Sequence, residues 1–246
     1  VSSISIVEIK VLKMLTKVKS YLNDFSHLFY PHNCLGCGTD VIEHDHLICT
    51  KCSYQLPETG FFSQTNNLLE KKFIGRMNVE AAGSAFYFTK DSLLQKLLFE
   101  LKYRGNKEAG IFLGKLTGLQ MQHSQRFQDT DVIIPLPLNP KRQMQRGYNQ
   151  SEIIANNIGE ILQKPVLNDV VKRQVFTETQ THKDRISRWQ NMEGVFVVDD
   201  KNELEGKHIL LIDDVATTGA TLEACGEVIL KIAGTKLSLA TVAFTI

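Results

Sequence analysis

The sequence predicts an α/β domain, a mostly parallel sheet flanked by helices, preceded by a small cysteine module. Residues 209–212, Ile-Leu-Leu-Ile, form the unbroken apolar run expected of a parallel strand covered on both faces. Residues 131–138 form a second such run, broken by Pro135 and Pro137, so it cannot continue in a sheet interior. Each run leads through a polar, glycine-containing turn into a helix with apolar residues at helical spacing, the order of a parallel sheet.

At 246 residues and 43% hydrophobic content, the chain can bury a full core and still carry a small module. The expected division is a helix over 1–30, a cysteine module over 31–60 and the main domain over 75–246. A net charge of +1 gives no global nucleic-acid signature. Locally, residues 141–188 hold nine Lys/Arg against five Asp/Glu, while 199–227 hold two against eight. A basic segment facing an acidic sugar site suits a polyphosphate ester.

Ile6, Ile9, Leu12, Leu15, Val18 and Leu22 recur at three- and four-residue steps and predict an amphipathic helix. Packing on the body is its expected use, ahead of membrane-surface binding. Glu8, Lys10, Lys13, Lys17, Lys19 and Asp24 interrupt it, which argues against a signal peptide or a membrane span and for a cytoplasmic protein.

Cys34 and Cys37, then Cys49 and Cys52 after eleven intervening residues, form two Cys-x-x-Cys knuckles. Two knuckles complete a tetrahedral structural zinc site with no open position, and Gly36 and Gly38 suit the tight turn. His32, His44 and His46 are nearby alternative ligands, but the four thiolates already satisfy the ion. Cys225 stands apart and reads as a small buried residue.

Residues 57–72 read as a linker. Residues 79–88 alternate as a strand, and 91–103 form a helix with Leu93, Leu94, Leu97, Leu98 and Leu101 inward. Lys102, Tyr103 and Arg104 end that helix, with Gly105 as its C′ residue. On local physics alone the cations answer the helix dipole.

After the 131–138 strand comes a basic loop with Lys141, Arg142 and Arg146, then Gly147, Tyr148, Asn149 and Gln150, then a helix from about Ser151 with Ile153, Ile154, Ile158 and Ile161 inward. Three cations, a glycine and two amides at a strand-to-helix turn form a candidate anion site. The polar stretch around 177–188, with Arg185 and Arg188 one helical turn apart, has the character of a lid.

Asp213 and Asp214 stand at the carboxyl end of the 209–212 strand, where open α/β sheets bind ligands and carboxylates meet ribose hydroxyls. The turn Ala216, Thr217, Thr218, Gly219, Ala220, Thr221 supplies backbone N–H groups and hydroxyls to a phosphate, ahead of a helix starting near Leu222. A strand, turn and capped helix would account for the threonines and the glycine but not for adjacent aspartates, which repel unless hydroxyls, a metal ion or cations meet them. A purely structural scaffold leaves them unexplained. No Walker A loop and no Gly-x-Gly-x-x-Gly follows any strand.

The 208–221 stretch resembles the 5-phosphoribosyl-1-diphosphate (PRPP) loop of type I phosphoribosyltransferases. The order of the two knuckles, Leu-Lys-Tyr-Arg-Gly at 101–105, Ile-Pro-Leu-Pro-Leu-Asn-Pro-x-Arg-x-x-x-Arg-Gly-Tyr-Asn-Gln at 134–150, Thr-x-x-Gln at 177–180 with Arg185, Arg188 and Asn191, and the PRPP loop resembles the ComF family. These are competence-protein ComFC-like proteins, a zinc ribbon fused to a phosphoribosyltransferase domain. Departures are small: Tyr148 stands where Phe is more frequent, and Ile134 and Leu136 replace frequent valines.

The resemblance spans about residues 25–246. It implies that Asp213 and Asp214 hold the ribose, directly or through Mg²⁺, that 216–221 hold the 5′-phosphate, and that Arg142, Arg146, Gly147, Asn149 and Gln150 line the diphosphate side. Lys102, Tyr103 and Arg104 move to the rim of the active site, and Arg185 or Arg188 reaches the diphosphate from a closing loop. The implied activity is transfer of 5-phosphoribosyl from PRPP to a nitrogen nucleophile. The alternative is a non-catalytic, PRPP-sensing protein that handles single-stranded DNA with the DNA-uptake machinery.

Overall fold

The computed structural model describes residues 33–40, 47–174 and 195–246. The helix expected over 1–30, His32, His44 and His46, and the 177–188 segment with Arg185 and Arg188, followed by Trp189 and Asn191, lie outside the described residues. Val1–Gln55 and Leu56–Ile246 form two compact units. In the first, helix α1 (Thr50–Ser53) follows Cys49 directly.

In the second unit, the described residues form a four-stranded, all-parallel sheet in the order β1 (Ala81–Tyr87), β6 (Lys236–Phe244), β5 (His208–Ala216), β2 (Val132–Pro135). The central pair is buried on both faces because Ile209, Leu210, Leu211 and Ile212 meet apolar layers above and below. Helices α3 (Leu93–Tyr103), α4 (Lys107–Gln122) and α6 (Gln150–Leu162) pack together, with α4 on β1 and β6 and α6 on β5 and β2. Helix α7 (Ala220–Leu230) packs on β5, β6 and β4 of a hairpin made by β3 (Val171–Arg173) and β4 (Phe196–Val198).

Residues 57–72 are not the linker that their composition predicts. Glu58 bridges Phe86, Thr59 N–H donates to Ala85 O at 3.0 Å and Tyr87 N–H to Pro57 O at 2.7 Å, which covers the free edge of β1. Phe61, Phe62, Leu69 and Phe73 are buried in the body. Buried Asn67 caps the short helix α2 (Leu68–Lys71) through its Oδ1 and donates Nδ2 to Phe61, Gln64 and Ala82 carbonyls. This pairing is long-range, so local periodicity does not announce it.

The basic loop expected at 141–146 is helix α5 (Pro140–Arg146), capped by Asn139 Oδ1 on Lys141 N–H and stopped by Gly147 at φ +78°. Asn, Pro and Gly at these positions are the ordinary start and stop signals. Strand β5 also runs further than 209–212, since β6 continues beside it and Thr245 N–H donates to Ala216 O at 2.9 Å. Helix α7 opens at Ala220 rather than near Leu222.

Helix α4 carries Gly110, Gly114 and Gly118 along the line of contact with α6. A Cβ on Gly114 would lie 2.8 Å from the Ile154 carbonyl oxygen and 2.9 Å from Asn157 Cβ, and one on Gly118 would lie 3.0 Å from Ile161 Cβ. The two backbones approach only because these side chains are absent, and the same glycines weaken the local helix signal. Gly114→Ala should therefore destabilise the protein by roughly 1–2 kcal/mol, the overpacking cost exceeding the gain in helix propensity. Chemical denaturation would show a lowered midpoint with an unchanged slope; a raised midpoint would refute the close-packing account.

Candidate functional site

Because side chains alternate along a strand, Asp213 shares a face of β5 with Ile209 and Leu211, and Asp214 shares the other with Leu210 and Ile212. Each carboxylate meets its own partner. Asp214, 8% exposed, accepts from Lys102 Nζ at 2.8 Å, and Lys102 comes from the last turn of α3. Asp213 Oδ1 accepts from Ser151 Oγ at 3.0 Å, at the start of α6, and from the Asp214 N–H at 2.8 Å. Burial, then the neighbouring Asp214 charge, pushes the Asp213 carboxyl up to about 7, against the pull of the Asp214 N–H, Lys102 and Ser151.

The turn after β5 is Thr217, Thr218 and Gly219, with Ala220 and Thr221 opening α7. Ala216, placed in this turn from the sequence, is instead the last strand residue, buried and tied into the ladder. Thr217, Thr218 and Thr221 are exposed, and Thr218 Oγ1 accepts from the Ala220 N–H at 3.4 Å. Gly219 has φ +78°, and a Cβ there would strike the Phe73 ring at 2.9 Å.

Lys102 also lines a cavity of about 430 Å³ with Tyr103, Gly105, Arg142, Arg146 and Tyr148. It thus links the acid pair to a basic concavity. Tyr148 donates its hydroxyl to the Leu101 carbonyl, joining the end of α3 to the turn after α5. The Arg146 guanidinium lies 5.2 Å from the exposed Tyr103 ring, Arg104 lies 5.9 Å from Phe99, and Lys107 lies 5.2 Å from Tyr148. Gly105 has φ +71°, as expected of a C′ residue.

Gly147 ends α5, while Asn149 is committed elsewhere: its Oδ1 caps Ser151 N–H at 3.1 Å and its Nδ2 donates to Leu136 O at 3.0 Å. Gln150 is buried at the start of α6, and its Nε2 has no hydrogen-bond partner among the described residues. Three participants have no motif to announce them. Ser151 meets Asp213, Arg173 on β3 feels the charges of both Arg142 and Asp213, and Arg76 binds the turn itself. Burial, followed by Arg142, lowers the Arg173 pKa. Burial, then the Asp213 charge, pushes the Cys225 thiol up, so Cys225 stays neutral as a core residue.

A separate cavity of about 400 Å³ is lined by residues including Phe73, Met77, Glu80 and a mutually paired Glu70 and Arg126. In the first unit, the sulfur atoms of Cys34, Cys37, Cys49 and Cys52 all lie within 4.8 Å of one another, a soft four-thiol set that fits tetrahedral zinc. Cys49 N–H donates to Cys34 Sγ at 3.2 Å and Gly36 N–H at 3.4 Å. Burial would raise the Cys34 pKa, but N–H groups of Cys37, Cys49 and Gly36 outweigh it and bring it to about 6.

The Asp213 shift sets a pH dependence. The folded chain retains this proton to about pH 7, whereas the unfolded chain releases it near 3.8, so the associated stability is full below about pH 4 and lost as pH rises through 7. Asp213→Asn cannot ionise. Its thermal midpoint relative to the parent should rise from about pH 4 to about pH 7 and level off above that; a constant difference would refute the assigned shift.

The described residues include no helix long and apolar enough to cross a membrane. Residues 147–245 match the Phosphoribosyl transferase domain. The chain is 38% identical over 143 residues to Competence protein F of Haemophilus influenzae, covering 56% of this chain and 62% of that protein. It is 27% identical over 190 residues to DNA utilization protein YhgH of Escherichia coli K12, covering 76% and 79%. To Competence protein ComFC of Bacillus subtilis it is 31% identical over 146 residues, 58% and 56% of the two chains. The alignment thus spans less than two thirds of two of these three relatives. Among solved structures, the glutamine PRPP amidotransferase of B. subtilis aligns with a TM-score of 0.40 at 17% identity, over 54% of this chain and 25% of that one. The purine phosphoribosyltransferase of Pyrococcus horikoshii aligns at 0.36 and 19%, over 56% and 73%. With a match to the phosphoribosyl transferase domain over 147–245 and a four-cysteine cluster ahead of it in sequence, the chain is similar to these competence and DNA utilization proteins.

Proposed function

We propose that the chain binds PRPP and transfers its 5-phosphoribosyl group to a nitrogen nucleophile. One observation carries this reading: the acid pair on β5 leads into a hydroxyl-rich turn and helix, and Lys102 links the same pair to a basic cavity. Asp213 and Asp214 hold the ribose hydroxyls. Thr217, Thr218 and Gly219, with Ala220 and Thr221, hold the 5′-phosphate at the start of α7. Arg142, Arg146 and Gly147 receive the diphosphate, with Lys102 and Arg104 on the rim. The orphan Gln150 Nε2, next in sequence to Ser151, is a further donor available to the ligand.

The two carboxylates are hard oxygen donors and fit Mg²⁺, which when bound would supply positive charge to the diphosphate. In the transfer, the anomeric C–O bond breaks and its electron pair leaves with the diphosphate, while the nitrogen lone pair forms the new C–N bond. The cations of the cavity offset charge developing on the leaving oxygens. The four cysteines hold structural zinc, which lets a short segment fold without a core of its own. The setting is cytoplasmic, where such thiolates stay reduced.

A second reading has its own observation. Phe99 and Tyr103 are exposed beside Arg104 and Arg146, an aromatic and cationic surface on which bases of single-stranded DNA can stack. The names of the relatives, competence and DNA utilization proteins, accord with it. In this reading the PRPP site senses and does not turn over.

Pyrophosphate release from Mg²⁺–PRPP, measured across purine, pyrimidine and ammonia acceptors, separates the two. Transfer predicts release with one acceptor class, reduced about 100-fold by Arg146→Ala. No release, combined with retention of oligodeoxythymidylate that Tyr103→Ala and raised salt abolish, would favour the second reading.

A further inference from the structure

Arg76 follows buried Phe73 in a tight turn, with Arg76 N–H donating to Phe73 O at 3.0 Å. Its Nη1 donates to Lys72 O at 3.0 Å and to Thr218 O at 3.1 Å. Its Nε donates to Glu223 Oε1 at 3.0 Å, and its Nη2 pairs with Glu223 Oε2. A single guanidinium therefore ties 72–76 to the turn after β5 and to the first turn of α7. The Phe73 ring below closes the space against Gly219.

Two consequences follow from elementary chemistry. In a trans peptide the carbonyl and the next N–H point in opposite directions, so anchoring Thr218 O on Arg76 turns the Gly219 N–H to the other side. In addition, Glu223 places a carboxylate in the first turn of α7, where it competes with any phosphate for the positive end of the helix. The two-point pairing with Arg76 cancels that charge.

We propose that Arg76 is a positioning residue for the phosphate turn, setting the Thr218–Gly219 peptide and neutralising Glu223. This rests on the sugar-phosphate reading of the site and adds the segment before β1 to its machinery.

Two measurements test it on the zinc-loaded full chain: amide exchange without ligand at Ala220 and Glu223, whose N–H groups donate to Thr218 Oγ1 and Gly219 O, and calorimetric titration with ribose 5-phosphate. Arg76→Gln should quicken exchange at these amides and weaken ribose 5-phosphate about tenfold, the size expected of one uncompensated charge at a partly exposed site. Adding Glu223→Gln should restore most of the affinity but not the slow exchange. Arg76→Lys, which keeps the charge and loses the fork, covers the case where the Gln variant does not fold; it should retain affinity better than slow exchange. Unchanged exchange and unchanged affinity in Arg76→Gln overturn the proposal. Faster exchange in a chain whose parent takes up no ribose 5-phosphate would uphold the positioning role and overturn the sugar-phosphate reading.

Discussion

Two consecutive carboxylates near the carboxyl end of β5, after a run buried on both faces, form the constraint around which this domain is arranged. Alternation along β5 points the two side chains in opposite directions, so each charge needs a partner of its own. Both partners come from the helices that pack together: Lys102 at the end of α3 reaches Asp214, and Ser151 at the start of α6 reaches Asp213. The Tyr148 bond to Leu101 ties those two helix ends together. Asp213 nonetheless remains incompletely compensated, with its carboxyl pushed up to about 7. A carboxyl left in this state, beside a cavity that Lys102 lines, marks a candidate binding site.

The parts legible in the sequence were those whose signal is local. The run 209–212 announced a buried strand, Leu94, Leu97, Leu98 and Leu101 announced the inward face of α3, and Gly105 its end. The paired cysteines announced their cluster by spacing. What escaped was held by contacts distant in sequence. Residues 57–72 carry little periodicity because their work is to cover the edge of β1 and to seat Phe73 and Arg76 under the turn. Helix α4 was hidden by the glycines that its contact with α6 demands. For α5 a signal was present, Asn139 and Pro140 ahead and Gly147 behind, beneath the louder run of cations.

The same distinction applies to the site. Asp213, Asp214 and the threonines were visible as a motif, and Lys102 emerged through its setting in Leu-Lys-Tyr-Arg-Gly. Ser151, Arg173 and Arg76 had no motif, since each acts through a partner at least forty residues away. Their common feature is that they bring charge or hydrogen bonds to β5 and the turn after it from three separate elements. The site is thus less a loop grafted on a sheet than the meeting point of the helical layer, the hairpin and the segment before β1.

The central claim is that the acid pair on β5 forms the floor of a sugar-phosphate site. Calorimetric titration of the zinc-loaded protein with Mg²⁺ and PRPP, beside the Asp213→Ala/Asp214→Ala double variant, tests it most directly. The account predicts saturable binding at about micromolar concentration that disappears in the double variant while the fold persists. Equal binding by both proteins, or none by the well-folded parent, would contradict it.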